Sequence, residues 1–140
     1  TFGEQEQRIN HTAVWTGKVM IVFGGGATSE TLRSGGVYDP ALGTWRATAE
    51  AAFARRWHVA LWTGRRMLVF GNSDDNAKVS TTPPEAHDLE ADAWEAIPGY
   101  PPHFSARYGA WDGCRAILVG AGCSGESCVA ETWSYRPDRP

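Results

Sequence analysis

HTAVWTG, at positions 11–17, recurs as HVALWTG at positions 58–64 and, more loosely, as RYGAWDG at positions 107–113. The copies are 47 and 49 residues apart. After each copy comes a second apolar run that ends in glycine: MIVFG at 20–24, MLVFG at 67–71 and AILVG at 116–120. A repeat of this length indicates that one supersecondary unit is used several times.

Each copy predicts two strands joined by a tight turn. The turn residues are Thr16-Gly17, Thr63-Gly64 and Asp112-Gly113. Glycine suits this position because it accepts a positive φ at no steric cost. The second run is apolar almost throughout, which is typical of a strand covered on both faces. We therefore expect the runs 20–23, 67–70 and 116–119 to be buried inner strands.

The second half of the unit repeats as well. In the first two copies an aromatic-Asp pair precedes a tryptophan with the same spacing; these are Tyr38-Asp39 with Trp45, and His87-Asp88 with Trp94. Tyr135 begins a third copy, but Arg136 stands where the others have Asp. Each unit thus predicts four antiparallel strands, the outermost carrying Trp. Four strands in about 45–50 residues is the size of a β-propeller blade.

These residues resemble the Kelch repeat, whose pattern is a glycine pair after the second strand, then an aromatic-Asp pair, then Trp. The first unit matches it fully with Gly24-Gly25, Tyr38-Asp39 and Trp45. The second has Gly71 followed by Asn, and the third has Gly120 followed by Ala, so their loops are expected to differ. The resemblance covers nearly the whole chain. It implies an all-β fold of about three propeller blades, part of a larger or oligomerically closed ring.

The blades are expected at about 8–48, 55–97 and 104–140, the last without its outer strand. The recurrence makes a set of positions structural rather than functional, because a fold position repeats whereas an active site seldom does. These positions are His11, Trp15, Gly24, Gly25, Tyr38, Asp39, Trp45, His58, Trp62, Gly71, Trp94, Trp111, Gly120 and Tyr135.

Composition excludes several classes of partner. Of the 140 residues, 42% are hydrophobic and 21% charged, which is enough for a packed core. The net charge is only −3 and no basic run occurs, so nucleic acid is not an expected partner. No apolar run approaches the roughly 18 residues that cross a bilayer, so no membrane insertion is expected. The chain begins at Thr1 without Met, and we expect a processed or cut product.

No catalytic or cofactor motif is recognisable. The sequence has no nucleophile elbow, phosphate loop or dinucleotide fingerprint, and no histidine pair with zinc spacing. We therefore predict a protein that is not an enzyme, without catalytic residues, cofactor or metal. Galactose oxidase and sialic acid mutarotases are enzymes of Kelch type, but none of their catalytic groups matches a position here.

Several loop residues are candidates for binding: Trp57, Asp74, Asp75, Asn76, Glu126 and Trp133. The two tryptophans fall outside the repeat-equivalent sets; blade packing is the favoured interpretation for them, and ligand stacking is the alternative. The acidic run at 74–76 offers oxygen ligands for Ca²⁺, but it lacks the Asp-x-Asp-x-Asp-Gly spacing of a calcium hand. A solvated turn is the favoured interpretation of that run.

The cysteines predict a location. Cys123 and Cys128 flank a turn at Gly125 and are predicted to form a disulfide, with Cys114 left over. Two free thiols in a cytosolic loop are the alternative. A disulfide indicates an extracellular or periplasmic protein. The similarity to Kelch-like repeats of bacterial, often exported, proteins implies the same.

Three blades do not close a ring, because propellers have about four to eight. We expect another protein chain to complete the ring. This is either a second copy, which gives six blades and supplies an outer strand through Thr1-Phe2, or a different partner. The alternative is a missing remainder of the same chain. The favoured function is a non-catalytic protein-interaction scaffold, since the loops at 27–34, 73–83 and 123–129 are equivalent yet differ. A carbohydrate-binding propeller and a propeller portion of an enzyme are the alternatives.

Overall fold

The computed structural model describes residues 7–27, 29–72 and 82–137. Every regular element within these ranges is a β-strand. The strands are β1 (Thr12–Trp15), β2 (Met20–Phe23), β3 (Gly26–Ala27), β4 (Glu30–Thr31), β5 (Gly35–Asp39), β6 (Thr44–Ala47), β7 (His58–Trp62), β8 (Arg66–Gly71), β9 (Glu85–Asp88), β10 (Ala93–Ala96), β11 (Phe104–Trp111), β12 (Ala116–Ser124) and β13 (Ser127–Tyr135).

The described strands form three antiparallel sheets and one short hairpin. Sheet 1 has the order β1-β2-β5-β6, sheet 2 the order β7-β8-β9-β10, and sheet 3 the order β11-β12-β13. Strands β3 and β4 form the hairpin, which is inserted between the second and third strands of sheet 1. The all-β prediction is confirmed. Sheets 1 and 2 have the four strands expected of each unit, and the described part of sheet 3 has three.

The turn between the first two strands is built alike in every sheet. Its glycines have positive φ values of 96°, 99° and 94°, at Gly17, Gly64 and Gly113 respectively. The residue before each glycine accepts hydrogen bonds from the backbone N–H groups two and three residues further on. These side-chain oxygens belong to Thr16, Thr63 and Asp112. The predicted glycine turns are therefore confirmed.

Sheet 2 lies between the other two sheets and is apolar on both faces. One face gives Met67 and Val69 to a cluster with sheet 1, whose members there are Val14, Ile21, Phe23 and Val37. The other face gives Val59, Leu61, Leu68 and Phe70 to a cluster with sheet 3, whose members include Ala116 and Leu118. Successive side chains of β8 point to opposite faces, so one strand contributes to both clusters.

The third repeat departs from the predicted burial. Ala116 and Leu118 are buried against sheet 2, but Val119 is 45% exposed and Ile117 only partly buried. The physical reason is that no described sheet covers the other face of sheet 3. The expectation that 116–119 is buried on both faces is wrong for this run, whereas 67–70 meets it fully.

We predict that Val69→Asp abolishes cooperative folding. Val69 is fully buried between sheets 1 and 2, and an unpaired charge there costs several kcal/mol against a total stability of about 5–15 kcal/mol. Val129→Asp is the matched control, because Val129 is a largely exposed strand residue. Urea unfolding followed by tryptophan fluorescence measures the difference. Equal stability of the two variants contradicts the assignment of the core.

Candidate functional site

The segments that join the second and third strands lie at the same edge of the sheets, which we call the loop edge. In the first repeat this segment forms the hairpin β3–β4. In the third, β12 and β13 run on together past Gly120 and are joined by the Cys123–Cys128 disulfide, as predicted. Residues 73–81, including Asp74, Asp75 and Asn76, lie outside the described residues, as do Thr1 and Phe2. Cys114 is exposed and is the free cysteine of the described chain.

An arginine closes the neck of each of the first two loops. Arg55 is fully buried; its Nη1 donates to the carbonyl of Gly71 at 2.7 Å and its Nη2 to the carbonyl of Pro83. Arg8, 47 residues earlier, donates through Nη1 to the carbonyls of Gly24 at 2.9 Å and Ser34 at 2.8 Å. Each guanidinium thus ties the end of the second strand to the one or two residues that precede the third.

Sequence reasoning missed this arginine clamp. Its signal was present, since Arg8 and Arg55 share the 47-residue offset of His11 and His58. The third repeat has Phe104 at the equivalent position, buried in the core between sheets 2 and 3. There the loop is instead held by continuous strand pairing and the disulfide.

Glu85 completes the buried polar contacts of the second loop. Its Oε2 lies 3.3 Å from Arg55 Nη2, and its Oε1 accepts a hydrogen bond from the backbone N–H of Ala52 at 2.9 Å. Burial lowers the pKa of Arg55, and the charge of Glu85 opposes that shift. The pair links the segment between sheets 1 and 2 to the first residue of β9. These contacts hold the backbone at the start of β9 in place beneath the loop edge.

The repeated histidines differ in burial. His58 is buried, with Nε2 2.7 Å from Thr12 Oγ1 and its ring edge-on to Phe23 at 5.4 Å. Burial, with smaller contributions from Arg55 and His11, lowers the pKa of His58 to about 3. His58 is therefore neutral near pH 7 and contacts the chain's own residues. His11 is exposed, with Nδ1 3.2 Å from the carbonyl of Arg8.

Two of the described candidate residues lie at the loop edge. Trp57 directly precedes β7, is 45% exposed and carries the guanidinium of Arg56 5.1 Å from its ring centroid. Glu126 lies at the exposed tip of the disulfide hairpin.

Trp133 lies elsewhere; it is partly buried and packs against the core between sheets 2 and 3. Its ring is 6.2 Å from Phe70, 5.1 Å from Tyr100 and 5.9 Å from Tyr135. In the interface of sheets 1 and 2, Trp94 from the outer strand packs at 4.6 Å against Phe23, the equivalent of Phe70. Trp133 therefore packs on Phe70 between sheets 2 and 3, as the outer-strand Trp94 packs on Phe23 between sheets 1 and 2.

A cleft of about 450 Å³ lies beside the disulfide. His103 and Glu131 form one side of it, with His103 Nε2 3.4 Å from Glu131 Oε2. Ser127 and the largely exposed Val129 contribute to its wall. The cleft is wide, mixed in polarity and open to solvent, which suits an inserted side chain of a partner better than an enclosed small molecule.

Two further findings bear on the site. In the part of the chain that the structure describes, no group of three or more His, Cys, Asp or Glu side chains is placed to hold a metal ion. Over the same residues, no helix has the length and apolar character to cross a membrane.

Comparison with known proteins does not assign a family. No protein-family model matches the chain, and no curated protein matches it significantly.

We predict that His58 makes stability depend on pH. The unfolded chain binds a proton at His58 near its ordinary pKa of 6.5, whereas the folded chain binds it only near pH 3. The free energy of unfolding therefore falls as pH drops from about 6.5 towards 3, with this histidine contributing up to about 1.4 kcal/mol per pH unit. Urea unfolding at a series of pH values measures the slope.

Two variants isolate the contribution of His58 to that slope. His58→Gln removes the titrating group and flattens the slope by this amount. Thr12→Val removes the hydrogen-bond partner instead, lowering stability by about 1 kcal/mol at every pH while keeping the slope. An unchanged slope in His58→Gln contradicts the assigned burial of the imidazole.

Proposed function

We propose that the three sheets are successive blades of a Kelch-like β-propeller and that the chain is a non-catalytic scaffold whose loop edge binds another protein. The blade assignment is supported by the meander order of the strands and by the face-to-face packing of the sheets. The first strands also contact one another, β1 with β7 and β7 with β11, as inner strands do around a propeller axis.

The proposal is supported chiefly by one contrast. The sheets and the arginine clamps recur and form a common frame, whereas the loops that leave this frame differ in structure from one repeat to the next. The clamp from Arg8 and the clamp from Arg55 close two necks in the same way. Beyond the necks, the first loop folds as the hairpin β3–β4, whereas the third is a longer hairpin with a disulfide. A ligand bound once per blade requires repeated loops. Divergent loops on a rigid frame fit the irregular surface of a protein partner.

The chemistry of the loop edge supports the same conclusion. Trp57 stacked with Arg56 combines two of the residue types that are enriched among the energetic centres of protein interfaces. The cleft between His103 and Glu131 offers an imidazole, a carboxylate and an apolar wall. Backbone hydrogen bonds lie beneath both features, from Trp57 N–H to the Asn10 carbonyl at 3.1 Å and from Cys123 N–H to the His103 carbonyl at 2.9 Å, and they reduce the backbone entropy lost on binding.

The disulfide supports an extracellular or periplasmic place of action. Cys123 and Cys128 lie directly opposite each other in the register of β12 and β13, at a solvent-exposed hairpin end. A reducing cytosol keeps such exposed pairs as thiols. The proposed partner is therefore a protein of the same oxidising compartment.

We predict that photo-crosslinking captures one discrete protein from the loop edge. A benzophenone amino acid replaces Trp57 or Glu126 at the loop edge, or Leu42 in the turn at the opposite edge. In extracts of the producing cells and their medium, the first two positions give a single crosslinked species and the third gives none. Adding Trp57→Ala to the Glu126 probe weakens capture about tenfold or more, because the aromatic contact is lost.

Two outcomes contradict the scaffold proposal. One is equal crosslinking from Leu42 and from the loop edge. The other is a discrete set of sugars bound on a glycan array with no protein captured, which favours a carbohydrate-binding propeller.

A further inference from the structure

Two outer sheet faces have no described sheet upon them. On sheet 1, one row of side chains crosses all four strands: Trp15, Met20, Tyr38 and Trp45 are paired in register. Trp15 is 56% exposed and the others are partly buried. On sheet 3, the outer face carries Tyr108 opposite Val119 and Ala110 opposite Ile117, and Tyr108 is 76% exposed. We call these the tryptophan face and the tyrosine face.

The tryptophan face matches a surface that is buried inside the molecule. Its residues Trp15, Met20 and Trp45 are the repeat equivalents of Trp62, Met67 and Trp94. Those three side chains of sheet 2 pack against sheet 1, in the cluster that contains Val14, Ile21 and Phe23.

The tyrosine face matches the opposite side of such an interface. Tyr108, Ala110, Ile117 and Val119 are the equivalents of Val59, Leu61, Leu68 and Phe70 in sheet 2. Those four side chains pack against sheet 3. The substitutions exchange volume within the set, since Tyr is larger than Val while Ala and Val are smaller than Leu and Phe, and such exchanges preserve packing.

We infer that the tyrosine face of one chain docks on the tryptophan face of a second copy, repeating the internal interface between sheets. The two faces are the two complementary sides of one packing arrangement, which the molecule already uses twice. The contact is therefore head to tail, because two different faces meet. A second copy is the partner, since it carries the face that complements each exposed face of the first. Each face is of the apolar kind that is covered in stable assemblies, where about 800 Å² per partner is usual.

The number of copies rests on the proposed propeller. Counting the three described sheets per copy, two copies give six sheets and three give nine, and only six lies in the range of about four to eight blades. Two copies then make two identical contacts and leave neither face exposed. The assembly is a closed pair rather than an open filament.

The internal interface predicts which residues meet. A Cβ built on Gly109 of sheet 3 lies 2.9 Å from Val59 Cγ1 and 3.4 Å from Leu61 Cδ1 of sheet 2. Ala13 is the repeat equivalent of Gly109, and Tyr108 and Ala110 are those of Val59 and Leu61. Across the docked faces, Ala13 of one copy therefore lies beside Tyr108 and Ala110 of the other.

We predict that the chain sediments at twice its mass at micromolar concentration. Tyr108→Glu places a charge in the docked interface and raises the dissociation constant at least a hundredfold, giving single-chain mass with unchanged far-ultraviolet circular dichroism. Leu42→Glu, at an exposed turn off both faces, is the matched control and leaves the pair intact. A wild-type chain of single mass across the micromolar range overturns the inference, as does a pair unaffected by Tyr108→Glu.

Disulfide crosslinking tests the orientation. In a Cys114→Ser background, chains with Ala13→Cys and Ala110→Cys oxidise to a covalent pair, and chains with Lys18→Cys and Ala110→Cys do not. Crosslinking of Ala13→Cys chains to one another shows a face-to-same-face contact and overturns the head-to-tail docking. Loop-edge crosslinking from Trp57 is scored in the same samples. Its loss with docking intact overturns the scaffold function alone, and its retention without docking overturns the docking alone.

Discussion

The second strand of each sheet is apolar on both faces, so it is fully buried only where a neighbouring sheet covers each face. In sheet 2 the requirement is met: Leu68, Val69 and Phe70 are fully buried although successive side chains point in opposite directions. Each such side chain contributes about 1.5–3 kcal/mol through its burial. A single four-stranded sheet of this sequence exposes apolar side chains to water on both faces. One repeat is therefore not expected to fold stably without a neighbouring sheet.

The same packing fixes the strands independently of the loops that connect them. Contacts between sheet faces fix the strands, and the clamps from Arg8 and Arg55 fix the points where the loops leave them. The described loop residues beyond these points lie outside both hydrophobic clusters, which leaves their sequence free to diverge. A hairpin in one repeat and a disulfide hairpin in another are therefore compatible with one frame, and this divergence is the basis for proposing recognition at this edge.

Three features were predictable from sequence because each is a local property. The strands follow from short apolar runs, the turns from glycines such as Gly17 and Gly64 that accept a positive φ, and the disulfide from two cysteines on either side of a turn. The exposure of Val119 and Trp15 was not, since coverage of a face depends on which neighbour is present and not on the strand that carries it. Trp133 was equally unpredictable, because its packing beside Phe70 exists only once sheets 2 and 3 are together. The arginine clamp was missed because its partners are backbone carbonyls: the shared offset of Arg8 and Arg55 marks equivalent positions but does not show what the side chains contact.

Native-state hydrogen exchange, residue by residue, tests the two-sided packing most directly. The central strand β8 has a covered face on each side, whereas β6 and β13 are sheet edges in the described structure. Amides of β8 are expected to exchange only through global unfolding, with an exchange free energy equal to that from urea denaturation, and amides of β6 and β13 by smaller local openings. Exchange of β8 amides as easily as those of β13 contradicts the account.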